Sequence, residues 1–186
     1  MIFREVEDRD LIARARKGDV EGYNLLVSRW EKRVFNYLLR LVRHREDALD
    51  VSQETFLKAY QNLPKLEDPQ RFAGWLFRIA HNEAFSLLRK SRPETELADE
   101  PRPPSAGHGL LPIELSLAVE TALGRLTEDQ REAVLLKVYQ GFKFDEMAEI
   151  LGCPVSTVKS RLYTALDQLK TTLAPQILRS DLRCAS

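Results

Sequence analysis

Hydrophobic positions recur along most of the chain with the three- and four-residue spacing that places side chains on one face of an α-helix. The longest such stripe covers residues 23–41, and Asp19 stands where the helix needs an N-cap. Its apolar positions are Tyr23, Leu26, Val27, Trp30, Val34, Tyr37, Leu38 and Leu41. A short helix before it has apolar Leu11, Ile12 and Ala15, a cap from Asp8 or Asp10, and an end at Gly18. These patterns predict an all-α fold.

The next predicted helix, residues 47–63, differs in polarity between its two sides. The predicted buried side comprises Leu49, Phe56, Tyr60 and Leu63, with Val51 and Ala59 beside it. The other side carries Asp47, Asp50, Gln53, Glu54 and Lys58. Carboxylates early in a helix complement its dipole, which is a structural reason for their presence. The same side also suits docking against a basic surface of a partner protein.

Basic and aromatic residues are interleaved in the helix that follows, over residues 71–92. Pro64 is predicted to end the preceding helix and Pro69 to begin this one. Its predicted buried face is Phe72, Leu76, Ile79 and Ala80, with Leu87 further along, while Trp75, Phe77 and Phe85 stand among Arg71, Arg78, Arg89, Lys90 and Arg92. Cations bind phosphates and rings stack on unpaired bases, so the helix suits single-stranded nucleic acid. A core helix with basic edges fits the composition equally well. Asn82 is the residue best equipped to contact a base edge.

Composition changes between residues 91 and 112, where five prolines and two glycines accompany the acidic residues Glu94, Glu96, Asp99 and Glu100. Such a segment is predicted to be a flexible linker between two small helical domains. The predicted boundaries are residues 1–92 for the first domain, 93–112 for the linker and 113–186 for the second domain.

The second domain is predicted to begin with a helix that carries Leu115, Val119, Ala122 and Leu126. Thr127 and Gln130 then form the T-x-x-Q pattern of a capping box, and Gly141 ends the helix that this box opens.

Residues 144–170 show the pattern of a helix-turn-helix. A first helix with Met147, Ala148, Ile150 and Leu151 ends at Gly152, and after Pro154 a second helix carries Val155, Val158, Leu162, Leu166 and Leu169. The outward face of the second helix presents Ser156, Thr157, Lys159, Ser160, Arg161 and Tyr163. These groups suit phosphates and base edges in a major groove, although a plain helical hairpin with a solvated face is the alternative. Pro175 is predicted to end the last helix and residues 180–186 to fray.

Charge and cysteine content narrow the possible classes of protein. The chain has 28 basic and 28 acidic residues, so any nucleic-acid binding must come from local patches. Cys153, predicted to be buried in the turn, and Cys184 lack metal or disulfide spacing, which fits a reducing, cytoplasmic compartment. No signal peptide or membrane span is predicted. His44, His81 and His108 are scattered, so no catalytic site, metal or cofactor is predicted.

Taken together, three segments resemble bacterial sigma factors of the extracytoplasmic-function (ECF) group, and the resemblance covers about Asp10 to Leu173. DALDVSQETFLKAY resembles the polymerase-docking segment, and FAGWLFRIAHNEAFSLLRKSR resembles the segment that opens and recognises the −10 element. LTEDQREAVLLKVYQGFKFDEMAEILGCPVSTVKSRLYTALDQLK resembles the −35-recognising domain. Lys143 departs from the serine that often caps the first helix of this motif, and Thr164 replaces an arginine of some relatives.

The resemblance implies partners and site residues. The implied partners are core RNA polymerase, through its β′ and β subunits, promoter DNA and an anti-sigma factor. Polymerase docking would use Asp47, Asp50, Gln53, Glu54 and Lys58. The −10 element would contact Asn82, Arg78, Trp75, Phe72, Gln70 and Asp68, with the loop from Pro64 to Phe72 forming a pocket for a flipped base. The −35 element would contact Ser156, Thr157, Lys159, Ser160, Arg161 and Tyr163.

Two other functions compete with this interpretation. A stand-alone helix-turn-helix regulator would use only the second domain and leave the acidic and the basic–aromatic helices unexplained. A decoy that mimics a sigma factor and binds its anti-sigma factor would not need Lys159, Arg161 or Asn82.

Overall fold

A computed structural model describes residues 6–91 and 113–184, and every regular element within these residues is helical. The helices are α1 (Asp8–Arg16), α2 (Val20–Val42), α3 (Arg45–Asn62), α4 (Phe72–Ser91), α5 (Ile113–Gly124), α6 (Glu128–Val134), α7 (Phe144–Leu151) and α8 (Val155–Cys184). Two 3₁₀ turns, Leu63–Lys65 and Pro69–Arg71, lie between α3 and α4, and the π-helical turn Leu135–Tyr139 extends α6. The predicted all-α fold is confirmed. The predicted linker lies outside the described residues.

The chain divides into two compact units. The first contains α1 to α4 and the second contains α5 to α8, with Glu149–Gly152 grouped with the first. The domain boundaries expected at residues 92 and 113 stay predictions.

Helix α2 forms the centre of the first unit, because α1, α3 and α4 all pack against it. Every position of its predicted stripe is buried except Val27, which is half-buried. The Asp19 carboxylate accepts the Gly22 N–H at 3.1 Å, which confirms the predicted cap. Beyond α2, Arg43 adopts a left-handed φ of 61°, and His44 caps α3 by accepting the Asp47 N–H on Nδ1 at 3.3 Å.

The predicted cap of α1 is wrong. The N-cap residue is Glu7, whose side chain makes no capping hydrogen bond, and Asp8 is already the first helical residue. Asp8 instead accepts the Trp30 Nε1–H at 2.9 Å and pairs with Arg29 on α2. The buried residues of α1 are those predicted, Leu11, Ile12 and Ala15.

Helix α3 buries a different face from the predicted one. The buried residues are Ala48, Val51, Ser52, Thr55 and Ala59. Leu49 and Tyr60, predicted to be buried, are 40% and 42% exposed, and Phe56 is half-buried. Leu63 is buried as predicted, and so are Val51 and Ala59, which were placed beside the predicted face. Small side chains allow helices to approach closely, so α3 lies against α2 and α4 through them rather than through its larger apolar residues. The Tyr23 hydroxyl of α2 donates to the Phe56 carbonyl across this contact.

The two prolines between α3 and α4 act as predicted. Helix α3 ends at Asn62, and Pro69 begins the turn that leads into α4. Asp68 caps this turn by accepting the Gln70 N–H at 2.9 Å. The buried residues of α4 are Phe72, Leu76, Phe77, Ala80 and Ala84, whereas Ile79 and Leu87 are half-buried.

In the second unit, α8 packs against α5 and α6. The predicted capping box is present, since Thr127 Oγ1 accepts the Gln130 N–H at 3.3 Å and Gln130 Oε1 accepts the Thr127 N–H at 3.2 Å. The Arg131 side chain is buried and donates to the carbonyls of Leu123 and Leu126, both at 3.0 Å. Carbonyls at a helix end lack partners within the helix, so Arg131 completes the end of α5 and ties it to α6.

The predicted helix-turn-helix comprises α7, the turn at Gly152 and the first part of α8. Gly152 has a φ of +61°, and the Cys153 N–H donates to the Ala148 carbonyl at 3.2 Å. The Pro154 carbonyl accepts the N–H groups of Thr157 and Val158, which makes it the start of α8. The buried apolar side chains of the motif include Met147, Ile150, Leu151, Val158 and Leu162.

The predictions for Cys153 and for the end of α8 are wrong. Cys153 is half-buried rather than buried, and Leu166 is 39% exposed while its small neighbour Ala165 is fully buried. Helix α8 does not end at Pro175 but continues to Cys184, so residues 180–184 are helical rather than frayed. A proline removes one hydrogen bond and kinks a helix, but the residues after it include the helix formers Gln, Leu and Arg and no glycine.

Candidate nucleic-acid and polymerase interfaces

The predicted docking side of α3 is solvent-exposed and acidic. Asp50 and Gln53 are exposed, and the side chains of Asp47 and Glu54 are 43% and 46% accessible. The Asp47 carboxylate also lies 3.0 Å from Nδ1 of the cap residue His44. The side can therefore present several carboxylates to a basic surface.

Apolar groups lie beside these carboxylates, and two of them were predicted to be buried. Leu49, Leu57 and Tyr60 are 40%, 51% and 42% exposed. Their spacing of three and eight residues from one another places them along one side of α3. Gln53 lies within the same stretch. Because the apolar groups adjoin the carboxylates, the exposed surface of α3 is a mixed apolar and acidic face. The sequence carries no signal for this face, because it follows from burial of the small residues on the other side of the helix.

Lys58 joins α3 to α4. Its ammonium lies 2.7 Å from a Glu83 carboxylate oxygen and 3.5 Å from a Glu54 oxygen. The hydrogen bond that Lys58 donates to the Glu83 carboxylate is the main reason that the pKa of Lys58 lies above its ordinary value. Lys58 is therefore engaged within the first unit, whereas the resemblance placed it among the polymerase contacts.

The predicted −10 face lies on α4. Arg78 and Asn82 are exposed, Trp75 is half-buried, and the four-residue spacing of Arg78 and Asn82 places them one turn apart on the same side. The rings of His81 and Phe85 lie beside them, with centroids 4.6 Å apart and planes tilted by 39°. Basic, amide and aromatic groups thus share one helix surface, as binding of unpaired bases requires.

Two aromatic residues of α4 are in the core rather than on this surface. Phe77 is fully buried and contacts Tyr37 with ring centroids 5.1 Å apart, so it cannot stack on a base as predicted. Phe72, expected among the −10 contacts, is 2% exposed and lies 5.9 Å from both Trp30 and Trp75. Phe72 therefore supports Trp75 from beneath. Helical periodicity could have separated Phe77 from Trp75, because residues two positions apart point in different directions.

On the recognition helix, Ser156, Lys159 and Ser160 are exposed and Tyr163 is 56% exposed, whereas Thr157 is half-buried. The Arg161 side chain is 29% accessible and pairs with Asp129 of α6 at 2.8 Å. Its guanidinium also lies 3.8 Å from the Cys153 sulfur. Arg161 is consequently oriented by Asp129, while Lys159, Ser156 and Ser160 are exposed to solvent.

A cation cluster that the sequence pattern does not predict lies next to the recognition helix. The ammonium groups of Lys137 and Lys159 lie 4.8 and 5.3 Å from the centroid of the Phe144 ring. The ring holds two cations that are far apart in sequence, which periodicity alone does not reveal. Beside it, Glu146 accepts the Lys143 N–H at 2.7 Å and supplies part of the cap that Lys143 itself lacks.

Among residues 6–91 and 113–184, no group of three or more His, Cys, Asp or Glu side chains is placed to hold a metal ion. Within the same ranges, no helix combines the length and apolar character needed to cross a membrane.

Both parts of the chain match known families. The model of Sigma-70 region 2 matches residues 26–94, and that of Sigma-70 region 4 matches residues 116–169.

Characterised relatives match nearly the whole chain. The ECF RNA polymerase sigma-E factor of Haemophilus influenzae is 34% identical over 185 residues, which cover 92% of this chain and 97% of the relative. The RNA polymerase sigma-H factor of Pseudomonas aeruginosa is 31% identical over 188 residues, covering 94% of this chain and 97% of the relative.

Two solved structures resemble the chain. CnrH, in complex with the cytosolic domain of CnrY, has a TM-score of 0.68 and 29% identity over 90% of this chain and 97% of CnrH. The sigma factor RpoE of Bartonella quintana, in complex with the anti-sigma factor NepR, has a TM-score of 0.67 and 27% identity over 82% of this chain and 96% of RpoE.

Proposed function

Since the chain belongs to the ECF group of bacterial sigma-70 factors, we propose that it binds core RNA polymerase through α3, captures the opened −10 element on α4 and holds the −35 element on α8. It acts as the promoter-specificity subunit. The polymerase supplies the chemistry, so the chain needs no catalytic group of its own. Its place of action is the cytoplasm, where core polymerase meets promoter DNA.

One observation carries this proposal. The described residues present three exposed surfaces of different chemistry: the mixed acidic and apolar face of α3, the basic–aromatic face of α4, and the hydroxyl- and cation-bearing face of α8. A stand-alone helix-turn-helix regulator requires only the last of them. A decoy requires neither exposed Asn82 on α4 nor exposed Lys159 on α8.

Polymerase docking uses Asp47, Asp50, Gln53 and Glu54, with a β′ surface that carries positive charge as the partner. The β subunit is proposed to contact the second unit. Exposed Leu49, Leu57 and Tyr60 add apolar area beside the carboxylates. Charge complementarity steers the encounter and burial of apolar groups contributes affinity. Lys58 contributes through its ion pair with Glu83 rather than by direct contact.

Capture of the −10 element uses Asn82, Arg78 and Trp75 together with the loop residues Asp68 and Gln70. Extruding a base from the duplex costs a few kcal/mol, and stacking with hydrogen bonds in a pocket offsets that cost. Asn82 supplies both a donor and an acceptor to a base edge. Trp75 supplies a ring that Phe72 supports at 5.9 Å.

Binding of the −35 duplex uses Ser156, Thr157, Lys159, Ser160 and Tyr163, with Arg161 oriented by Asp129. Contacts to phosphates fix the position of the helix, and contacts to base edges in the major groove provide the sequence preference. Since the whole chain is electrically neutral, affinity for DNA depends on these local cations.

A regulatory protein that sequesters the chain is also proposed. Its support comes from the RpoE structure, in which a relative is bound to an anti-sigma factor.

The proposal is tested by run-off transcription with purified core polymerase on a library of genomic promoter fragments. We expect discrete start sites that require the chain and share two sequence elements. Start sites that do not depend on the chain, or DNA binding by the chain without transcription, would support a stand-alone regulator instead. Loss of all DNA binding with retained capture of an anti-sigma factor would support a decoy.

A further inference from the structure

Arg16, in the last turn of α1, holds the backbone of the loop that connects α3 to α4. Its Nε–H donates to the Leu63 carbonyl at 3.2 Å, and its Nη2 donates to the Leu66 carbonyl. We propose that Arg16 is a positioning residue for −10 recognition, which fixes the shape of this loop without contacting DNA. The inference rests on the proposed role of the loop in capturing a −10 base.

The first end of the loop is fastened by these contacts. Leu63 and Leu66 are buried, and the Leu63 carbonyl also accepts the Leu66 N–H at 3.2 Å. The end of so short a helical turn leaves carbonyls that its own backbone does not satisfy, and charge-assisted hydrogen bonds are the strong way to satisfy them. The planar guanidinium binds two carbonyls at a fixed separation, which a flexible ammonium does less well.

The second end of the loop is fastened by aromatic packing that also leads to α1. Buried Phe72 lies 5.9 Å from the ring of Trp30, and the Trp30 indole N–H donates to Asp8 at 2.9 Å. Helix α1 is therefore linked to both ends of the loop. At one end Arg16 bonds the loop carbonyls, and at the other Asp8 bonds Trp30, which packs against Phe72. The exposed residues between these ends include Glu67, Asp68 and Gln70.

The geometry separates this role from ordinary core packing. The apolar side chains Leu11, Ile12 and Ala15 form the buried face of α1, whereas the Arg16 guanidinium contacts loop carbonyls. Helix α1 also precedes residue 26, where the match to the region 2 family begins. A small displacement of the loop would alter the distances between a flipped base and Gln70 or Asp68, and recognition depends steeply on such distances.

The experiment compares Arg16→Met with Lys17→Met in the full-length chain bound to core polymerase. Lys17 is exposed and adjacent, so its replacement removes the same charge and leaves both carbonyl contacts in place. Open-complex formation is measured on a responsive promoter and on a copy with one altered −10 base. We expect Arg16→Met, which removes both carbonyl contacts, to reduce the ratio between the two promoters by about tenfold. Core affinity and −35 duplex binding should stay unchanged, and Lys17→Met should keep the original ratio.

Arg16→Lys distinguishes an effect on the shape of the loop from a folding defect. It keeps the charge but loses the forked geometry, so we expect a ratio between those of the parent chain and Arg16→Met while the thermal midpoint stays close to that of the parent. Equal ratios for Arg16→Met, Arg16→Lys and Lys17→Met would overturn the inference.

Gln70→Ala separates this inference from the proposed function. If Gln70→Ala changes −10 discrimination and Arg16→Met does not, the loop recognises the element without help from Arg16, and only the inference is wrong. If Gln70→Ala and Asn82→Ala both leave discrimination unchanged, the assignment of the −10 surface is wrong and the inference is overturned with it.

Discussion

Asp129 at the start of α6 holds Arg161 of the recognition helix through an ion pair of 2.8 Å. The carboxylate neutralises part of the charge that Arg161 could offer to a phosphate, and it also restricts where the guanidinium points. The recognition surface therefore contains one oriented cation, Arg161, and one exposed cation, Lys159.

Replacing Asp129 with Asn should release Arg161 from this restraint. Since a nearby negative charge is lost, we expect tighter binding to any duplex and a salt slope steeper by about one unit. The preference for a −35 sequence over a scrambled one should decrease, because Arg161 is no longer oriented. Fluorescence anisotropy at several salt concentrations measures both effects, with Asp167→Asn on the exposed part of α8 as the control. An unchanged slope together with an unchanged preference would show that the ion pair does not affect DNA binding.

Reversing the charge of Asp50 should abolish docking on the polymerase. A like-charge contact in a complementary interface costs about 2 kcal/mol or more, so Asp50→Lys should weaken core binding by at least about 30-fold. Asp50 is exposed, so the thermal midpoint should change little. Glu31→Lys on the exposed side of α2 is the matched control. Normal core affinity of Asp50→Lys would remove α3 as the docking surface.

The Lys58–Glu83 pair should act within the fold. Because the Lys58 side chain is 40% accessible, the coupling between Lys58→Met and Glu83→Gln in a double-mutant cycle of unfolding should be about 0.5–1 kcal/mol. In the Glu83→Gln background, Lys58→Met should not lower the affinity for core polymerase any further. A loss of core affinity that is the same in both backgrounds would instead make Lys58 a direct polymerase contact.

Asp19 should contribute a pH-dependent part of the stability of the first unit. Hydrogen bonds from Arg14 and from the Gly22 N–H lower the pKa of Asp19 below its ordinary value of 3.8. A lowered folded-state pKa stabilises the fold at pH values above 3.8, and this contribution is lost as pH falls through 3.8 towards the lower folded-state pKa. Asp19→Asn keeps a capping side chain but cannot ionise, so its acid unfolding curve should be flatter below pH 4 than that of the parent chain. Urea unfolding between pH 3 and 7 measures the difference, with exposed Asp10→Asn as the control. Parallel curves for Asp19→Asn and the parent would contradict the assigned pKa direction.

The sequence predicted the elements better than it predicted which face each element buries. The stripe of α2 was correct because large apolar residues at regular spacing are nearly always buried, and the caps at Asp19 and Thr127 were correct because capping depends on local chemistry. In α3 the prediction failed, since Ala48, Thr55 and Ala59 are buried by close helix packing while the larger Leu49 and Tyr60 remain exposed. Size and hydrophobicity do not report how closely a neighbouring helix approaches.

For the candidate site, too, some features were predictable from the sequence and others were not. Asn82 and Lys159 are exposed where the pattern placed them. The contacts that restrain the site could not be predicted, because Arg16 with Leu66, Lys58 with Glu83 and Asp129 with Arg161 join residues that only the tertiary fold brings together. Ion pairs and carbonyl contacts of this kind leave no periodic signal in a single sequence.

The central claim is that separate surfaces of one chain recognise separate elements of one promoter. The most direct test is in-vitro transcription from a promoter library in which both elements are randomised, with the RNA products sequenced for the parent chain, Asn82→Ala and Lys159→Ala. Asn82→Ala should lower the sequence preference at the −10 element alone, and Lys159→Ala should lower it at the −35 element alone. If either variant lost its preference at both elements, the assignment of α4 and α8 to separate elements would be contradicted. The same would hold if neither variant lost its preference at any element.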